Sequence, residues 1–529
     1  MSKSSKNTNI VLVDGCRIPF QKPGTAYRSY RSHDLARFVI RGLLDRTGLD
    51  PGKVDRVIMG NVIQDPQTAN VAREAALGAG LPASVPAQTV SMSCLSGHLA
   101  ITTGAEAILS GQAEVVIAGG TESVSAYLDR YPLKKHRALP YLTEFSTRES
   151  MGEYADRLAA LYGVSRETQD AYTVRSHQSA VRAFREDLHD GEIVPVTGPP
   201  DFVPVTQDNL VRPDTTPEAL SLLKPAFNRK FGTVTAANAA PYADGAAAVL
   251  LMSEARAAEL GLEPLARLTS WVYTAGDPKN EMLLGQITAI PALLDDRSVR
   301  ADDIDVFELQ ETFAAQVIAV LEAVASEDPA GETKQAVSIP MKKLNTLGGT
   351  LAMGHAFGAT GVRLVTTAAN RLIREKGRYA LVSSGAGGGL GHAMLLEPAQ
   401  SQDNASGAGA ESKTTSRAKS GTSSRATSRT KSGATSRAAS SGKKKPAKAE
   451  KGATTTDTAK DEEPVVTPSG KTASAEAAAG LVKSAGPKSG AKSDAKSGSK
   501  AGSKPGAASG SEARTKSTSK KPKSKSKAK

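Results

Sequence analysis

Two stretches of this chain repeat one pattern. After Gly97 comes a helix-like run, the turn "SGQ", the apolar run "AEVVIAGG" and its closing glycines. After Gly361 comes "VRLVTTAANRLIRE", then "KGR", then "YALVSSGAGGG". A glycine, a helix, a short turn, a buried strand and a glycine cluster, stated twice, call for two similar α/β halves facing each other. Other runs agree. "NIVLVDG" reads as a short buried strand and "VDRVIMGNVI" as another. "SHDLARFVIRGLLDRTG" has helical spacing, with Ser32 or His33 near its start and Gly48 after its end. The alternation predicts α/β layers around a buried sheet.

The repeat stops near Pro398. From Ala399 onward there are 28 Lys and Arg against 10 Asp and Glu, a net of +18, whereas the first 398 residues sum to −5. That tail holds no Phe, Trp, Tyr, Met or Ile. It cannot bury enough apolar surface to offset the entropy of ordering, and it is expected to be disordered. Residues 126–237 are richer in charge and proline than the body around them. They suit an inserted cover over a cleft.

The two cysteines, Cys16 and Cys94, lie far apart in the sequence. A disulfide framework is not expected, and a reducing, cytoplasmic setting is. The start "MSKSSKNTN" is too short and polar for a signal peptide and lacks the arginines of a presequence. No apolar window is long enough to span a membrane. No metal site is expected.

Three short stretches carry candidate chemistry. Cys94, in "TVSMSCLSGHLAI", stands just before a helix, whose positive end favours a thiolate. It reads as a nucleophile or as a small buried apolar residue. His355, in "LGGTLAMGHAFGATGVRL", has glycines on both sides and reads as a general base or as a loop histidine. Gln310, Glu311 and Thr312 follow an apolar strand in "FELQETFAAQ", either as site residues or as a plain helix start.

In order, "NVAREAALGAGLP", "SMSCLSG", "GQAEVVIAGGTES", "GTVTAANAAPYADGAAAVLLM", "GHAFGATG" and "GGGLGHAM" resemble the thiolase family. The long-chain 3-ketoacyl-CoA thiolases, of the trifunctional-protein beta type, are the most similar branch. The resemblance covers roughly residues 8–398. It implies the thiolase fold: two duplicated halves in five αβαβα layers with an inserted loop domain. The N-terminal half would span 8–125, completed by 238–260, with the loop domain at 126–237. The C-terminal half would span 261–398, and the basic tail 399–529.

The resemblance further implies an acetyl-CoA C-acyltransferase of fatty-acid β-oxidation working through an acyl-cysteine. Cys94 matches the acylated nucleophile and His355 the histidine that activates it. Gln310 matches the residue that helps hold the thioester oxygen. The N–H groups of Cys94 and Gly387 match a second oxyanion hole. Acyl-CoA and coenzyme A would be substrates, with no permanently bound cofactor. A homodimer or larger assembly and a hydratase/dehydrogenase subunit are the implied partners. Nucleic acid or another polyanion suits the tail.

The chain departs from the family where a second cysteine normally opens the last glycine cluster, in C-x-x-G-G-x-G. Gly385 stands there. That cysteine is the acid/base of the second half-reaction, and glycine offers no ionisable group. Ala356, Thr312 and Ala240 replace a proline, an alanine and a serine near the same cleft. These departures keep two alternatives open: an enzyme with altered chemistry, such as hydrolysis or carbon–carbon cleavage, or a catalytically weak subunit acting as a binding scaffold.

Overall fold

The computed structural model describes residues 8–130, 143–326 and 336–399, all within one compact unit. The basic tail beyond Ala399 lies outside the described residues. Nine strands among the described residues form one sheet: β1 Ile10–Arg17, β2 Arg56–Gly60, β3 Ala87–Val90, β4 Val115–Glu122, β5 Gly245–Ser253, β6 Ala266–Ala275, β7 Ile304–Leu309, β8 Tyr379–Ala386 and β9 Leu390–Pro398. Their order is β3-β2-β4-β5-β1-β6-β9-β8-β7.

The order shows the duplication. In the first half β2 and β4 are parallel, β4 and β5 antiparallel, and β5 and β1 antiparallel. In the second, β7 and β8 are parallel, β8 and β9 antiparallel, and β9 and β6 antiparallel. Each parallel pair is joined by a central helix, Ser96–Leu109 before β4 and Phe357–Arg374 before β8. The halves meet edge to edge through β1 and β6, with Ile10 opposite Leu268 and Leu12 opposite Ala266.

Burial explains the layers. β4 and β5 read as continuous apolar runs because both faces are covered. One face of the first half packs on the amphipathic helix Ser32–Thr47 through Val39, Leu43, Val57 and Leu250. The inner faces of both halves share a core with the two central helices, through Ile101, Leu251, Val365 and Val382. The outer face of the second half packs on the helices Gly285–Arg297 and Ala314–Ala325 through Leu293, Val317 and Leu381. The result is the expected helix–sheet–helix–sheet–helix stack.

The second central helix packs backbone to backbone on β4 and on the first central helix. A Cβ on Gly120 would fall 1.8 Å from the Gly358 carbonyl oxygen, and one on Gly97 would fall 2.6 Å from it. Only glycine lets these backbones touch. The second central helix starts at Phe357, five residues before the expected start after Gly361. Gly361 lies inside it, pressed against the His98 ring.

Cys16 lies in β1 itself, opposite Ala248, because pairing with β5 carries β1 on to Arg17. Its thiol is buried and donates to the Val39 carbonyl.

Between β4 and β5 the chain runs out through helices Met151–Leu161 and Arg166–Arg185. Serine caps start both, Ser150 in a full capping box with Glu153. Residues 189–208 of this excursion fasten to the body through Arg17. Its guanidinium forms a bidentate pair with Asp208, 2.7 and 2.9 Å, with both side chains fully buried.

Candidate active site

Cys94 sits in a tight turn after β3. Ser93 takes a positive φ of 49°, and Ser96 braces the turn: its hydroxyl accepts from the Met92 N–H and donates to the Ser93 carbonyl. The helix begins two residues after Cys94, as expected. The thiol is 7% exposed and packs with Val62, Leu95, Val124, Phe357 and Ala386. That burial pushes it up to about 12, outweighing a hydrogen bond from the Gln310 amide. The expected thiolate is therefore corrected. The helix end contributes at most about 1 kcal/mol, less than a pKa shift of this size represents. The resting group is a neutral thiol that needs a base at the moment of attack.

His355 is linked to this thiol through the Gln310 amide. Its backbone N–H donates to the Pro241 carbonyl, pinning it beside the strand-forming stretch before β5. Its Nδ1 lies 2.7 Å from the Thr360 hydroxyl, which donates onward to the Ala356 carbonyl at 3.1 Å. That onward bond uses the hydroxyl proton, so Nδ1 carries the imidazole proton and Nε2 keeps a lone pair that accepts from the Gln310 amide. Burial, with the Arg363 guanidinium nearby, lowers His355 to about 3, so it is neutral across the physiological range. The ring is only 3% exposed, less open than its flanking glycines suggest.

Gln310 joins the two. Its position one residue past β7 is fixed by its own N–H, which donates to the Ser383 carbonyl of β8. Its amide Nε2 lies 3.2 Å from His355 Nε2 and 3.0 Å from Thr312 Oγ1, and it also reaches the Cys94 sulfur. Its Oε1 has no hydrogen-bond partner among the described residues. The structure thus gathers Cys94, His355 and Gln310, which stand far apart in the chain. One departure noted from sequence takes part: Thr312 is the hydroxyl that orients Gln310. Gly387 lies in the turn after β8, next to Ala386 of the Cys94 cluster, with the Met151 methyl over it.

Several residues of this neighbourhood escaped the sequence reading. Glu122 ends β4 fully buried and accepts from Asn61, Val62, Ile63 and Gly358. Burial raises it to about 7, and its charge opposes a Cys94 thiolate. Nothing in "GGTES" distinguishes it from a surface glutamate. Thr360 was within sight, since "GHAFGATG" places a hydroxyl five residues past His355. Glu311 also proves to be structural: its buried carboxylate takes bonds from Tyr172, Ser176, Asn345 and the Leu351 N–H. No group of metal-binding side chains occurs among the described residues.

The chain matches the model of the thiolase N-terminal domain over residues 10–255 and that of the thiolase C-terminal domain over 262–398. It is 44% identical to the mitochondrial trifunctional enzyme subunit beta of Mus musculus, covering 74% of this chain and 88% of that one. It is 40% identical to a 3-ketoacyl-CoA thiolase of Yersinia enterocolitica, over 73% and 96%. Among solved structures, human mitochondrial 3-ketoacyl-CoA thiolase in complex with CoA superposes with a TM-score of 0.67 at 31% identity, over 74% and 98%. With both domain models matched and these relatives spanned almost end to end, the chain belongs to the thiolase family.

Proposed function

We propose that this chain is a 3-ketoacyl-CoA thiolase of fatty-acid β-oxidation, an acetyl-CoA C-acyltransferase. The observation that carries the reading is the Cys94–Gln310–His355–Thr360 chain, a neutral thiol linked through the Gln310 amide to a neutral imidazole with an unprotonated Nε2. As Cys94 attacks the 3-keto carbon, His355 takes its proton. The Gln310 amide and the protonated His355 stabilise one developing oxyanion. The Cys94 and Gly387 N–H groups stabilise the other. Coenzyme A and acyl-CoA are substrates.

Two partners belong to the same reading, a second copy of the chain and a hydratase/dehydrogenase subunit; only the second has support in the relatives named as the beta subunit of a trifunctional enzyme. The division into halves 8–125 with 238–260 and 261–398, under a cover at 126–237, is part of the same reading. So is a cytoplasmic address, supported by two unpaired cysteines. The tail's net +18 suits nucleic acid or another polyanion, by charge alone.

The test is a thiolysis assay with a 3-ketoacyl-CoA and coenzyme A, using the full chain and its Cys94→Ala variant. Acetyl-CoA and a shortened acyl-CoA from the full chain, and neither from the variant, are expected. Equal product from both would overturn the reading.

A further inference from the structure

Gly385 is framed by a closed ring of hydrogen bonds built from three buried glutamines. The Ser383 carbonyl, two residues before it, accepts from the Gln310 N–H at 3.0 Å and from Gln286 Nε2 at 3.2 Å. Gln286 Oε1 accepts from Gln316 Nε2 at 2.5 Å, and Gln316 Oε1 accepts from the Thr312 N–H at 3.3 Å. Thr312 Oγ1 accepts from Gln310, which closes the ring. Gln286, Gln310 and Gln316 are each at most 2% exposed. Inside this frame a Cβ on Gly385 would have nothing nearer than Gln286 Oε1 at 3.6 Å and the Leu390 carbonyl oxygen at 3.7 Å. Leu390 and Ala386 pack in the same cluster as Cys94. A small polar slot with two acceptors therefore lies at the end of β8 that contributes Ala386 to the Cys94 cluster.

We propose that this slot seats water as an acyl acceptor, so that the enzyme also hydrolyses 3-ketoacyl-CoA to a fatty acid and acetyl-CoA. The proposal rests on the acyl-Cys94 reading above. Gln286 Oε1 suits one hydrogen of a water, which leaves the second hydrogen for His355.

The steps balance on His355 alone. Cys94 sulfur bonds to the 3-keto carbon and its proton moves to His355 Nε2. The C2–C3 bond breaks, its electron pair stays on C2, and C2 takes the proton back from His355 to give acetyl-CoA. Water oxygen then bonds to the acyl carbon while His355 takes one water proton. The C–S bond breaks, and the Cys94 sulfur leaves with the proton from His355. Nothing is oxidised or reduced. Gln286 is a positioning residue here, acting through the water.

The experiment incubates the full-length protein with 3-ketooctanoyl-CoA in ¹⁸O-water without coenzyme A. Free hexanoate, acetyl-CoA and acyl-Cys94 are followed by mass spectrometry. Repeated turnover to hexanoate carrying one ¹⁸O is expected. Gln286→Leu should lower hexanoate release about five- to tenfold, the worth of one hydrogen bond. It should leave first-turnover acylation of Cys94 unchanged. Gly385→Cys, which fills the slot, should divert product to hexanoyl-CoA when coenzyme A is added. Acyl-Cys94 that forms and then persists for hours would overturn the hydrolysis and leave the thiolase reading standing. No acylation at all would overturn both. The ¹⁸O result on the unmodified protein decides the matter even where Gln286→Leu fails to fold.

Discussion

Gly385 and Cys94 show how far single residues could be read. Both were visible as motif positions, the cysteine as a match and the glycine as a departure. The protonation state of Cys94 was not legible, because it depends on which side chains close over the thiol, and those come from the segments after β2 and β4, from β8 and from the second central helix. Gly385→Cys should fold, since its Cβ meets only ordinary contacts, and should raise thiolysis by about tenfold or more. No gain in a folded variant would mean the reaction has no use for an acid/base there.

Glu122 gives a second prediction at this scale. His355 at about 3 and Cys94 at about 12 leave no limb in the pH–rate profile between pH 5 and 9. Glu122, near 7, should provide one: ionising it places a negative charge that opposes the thiolate, so kcat/KM should fall as pH rises through about 7. Glu122→Gln should flatten that limb. A limb that survives the substitution belongs to another group.

At the scale of elements the repeat was legible because glycine, helix, turn and strand recur in one order. Helix limits were read less well. Gly361 looks like a boundary in sequence, yet it is interior to the helix because its task is contact with His98. Such packing glycines look the same as capping ones until the partner is known. The fastening of residues 189–208 to β1 was invisible, since Arg17 and Asp208 are 191 residues apart. Asp208→Ala strands a buried guanidinium and should destabilise the fold by about 3–5 kcal/mol in urea unfolding. A loss below about 1 kcal/mol would show that water reaches Arg17. Gly97→Ala should destabilise by about 1–3 kcal/mol, because the new methyl meets the Gly358 carbonyl, which cannot move independently of its helix.

The whole molecule combines a body of −5 with a tail of +18. If the tail binds polyanions by counterion release, affinity for duplex DNA should fall steeply with salt and vanish in a chain ending at Pro398. Equal binding by both forms would exclude the tail. Stability should carry the mark of Glu122. Its folded pKa is raised, so the folded protein holds the extra proton between about 4.5 and 7, and stability is lost as pH rises through that window. Glu122→Gln should therefore gain in Tm relative to the unmodified protein from pH 5 to 7.5. His355 and His392, both lowered to about 3, act in the opposite sense and cost stability as pH falls below 6.5. The account turns on one covalent event. Full-length protein mixed with a 3-ketoacyl-CoA, quenched in acid and mapped by peptide mass spectrometry should carry the shortened acyl group on Cys94 and none on Cys16. An acyl group on Cys16, or none on either cysteine, would contradict it.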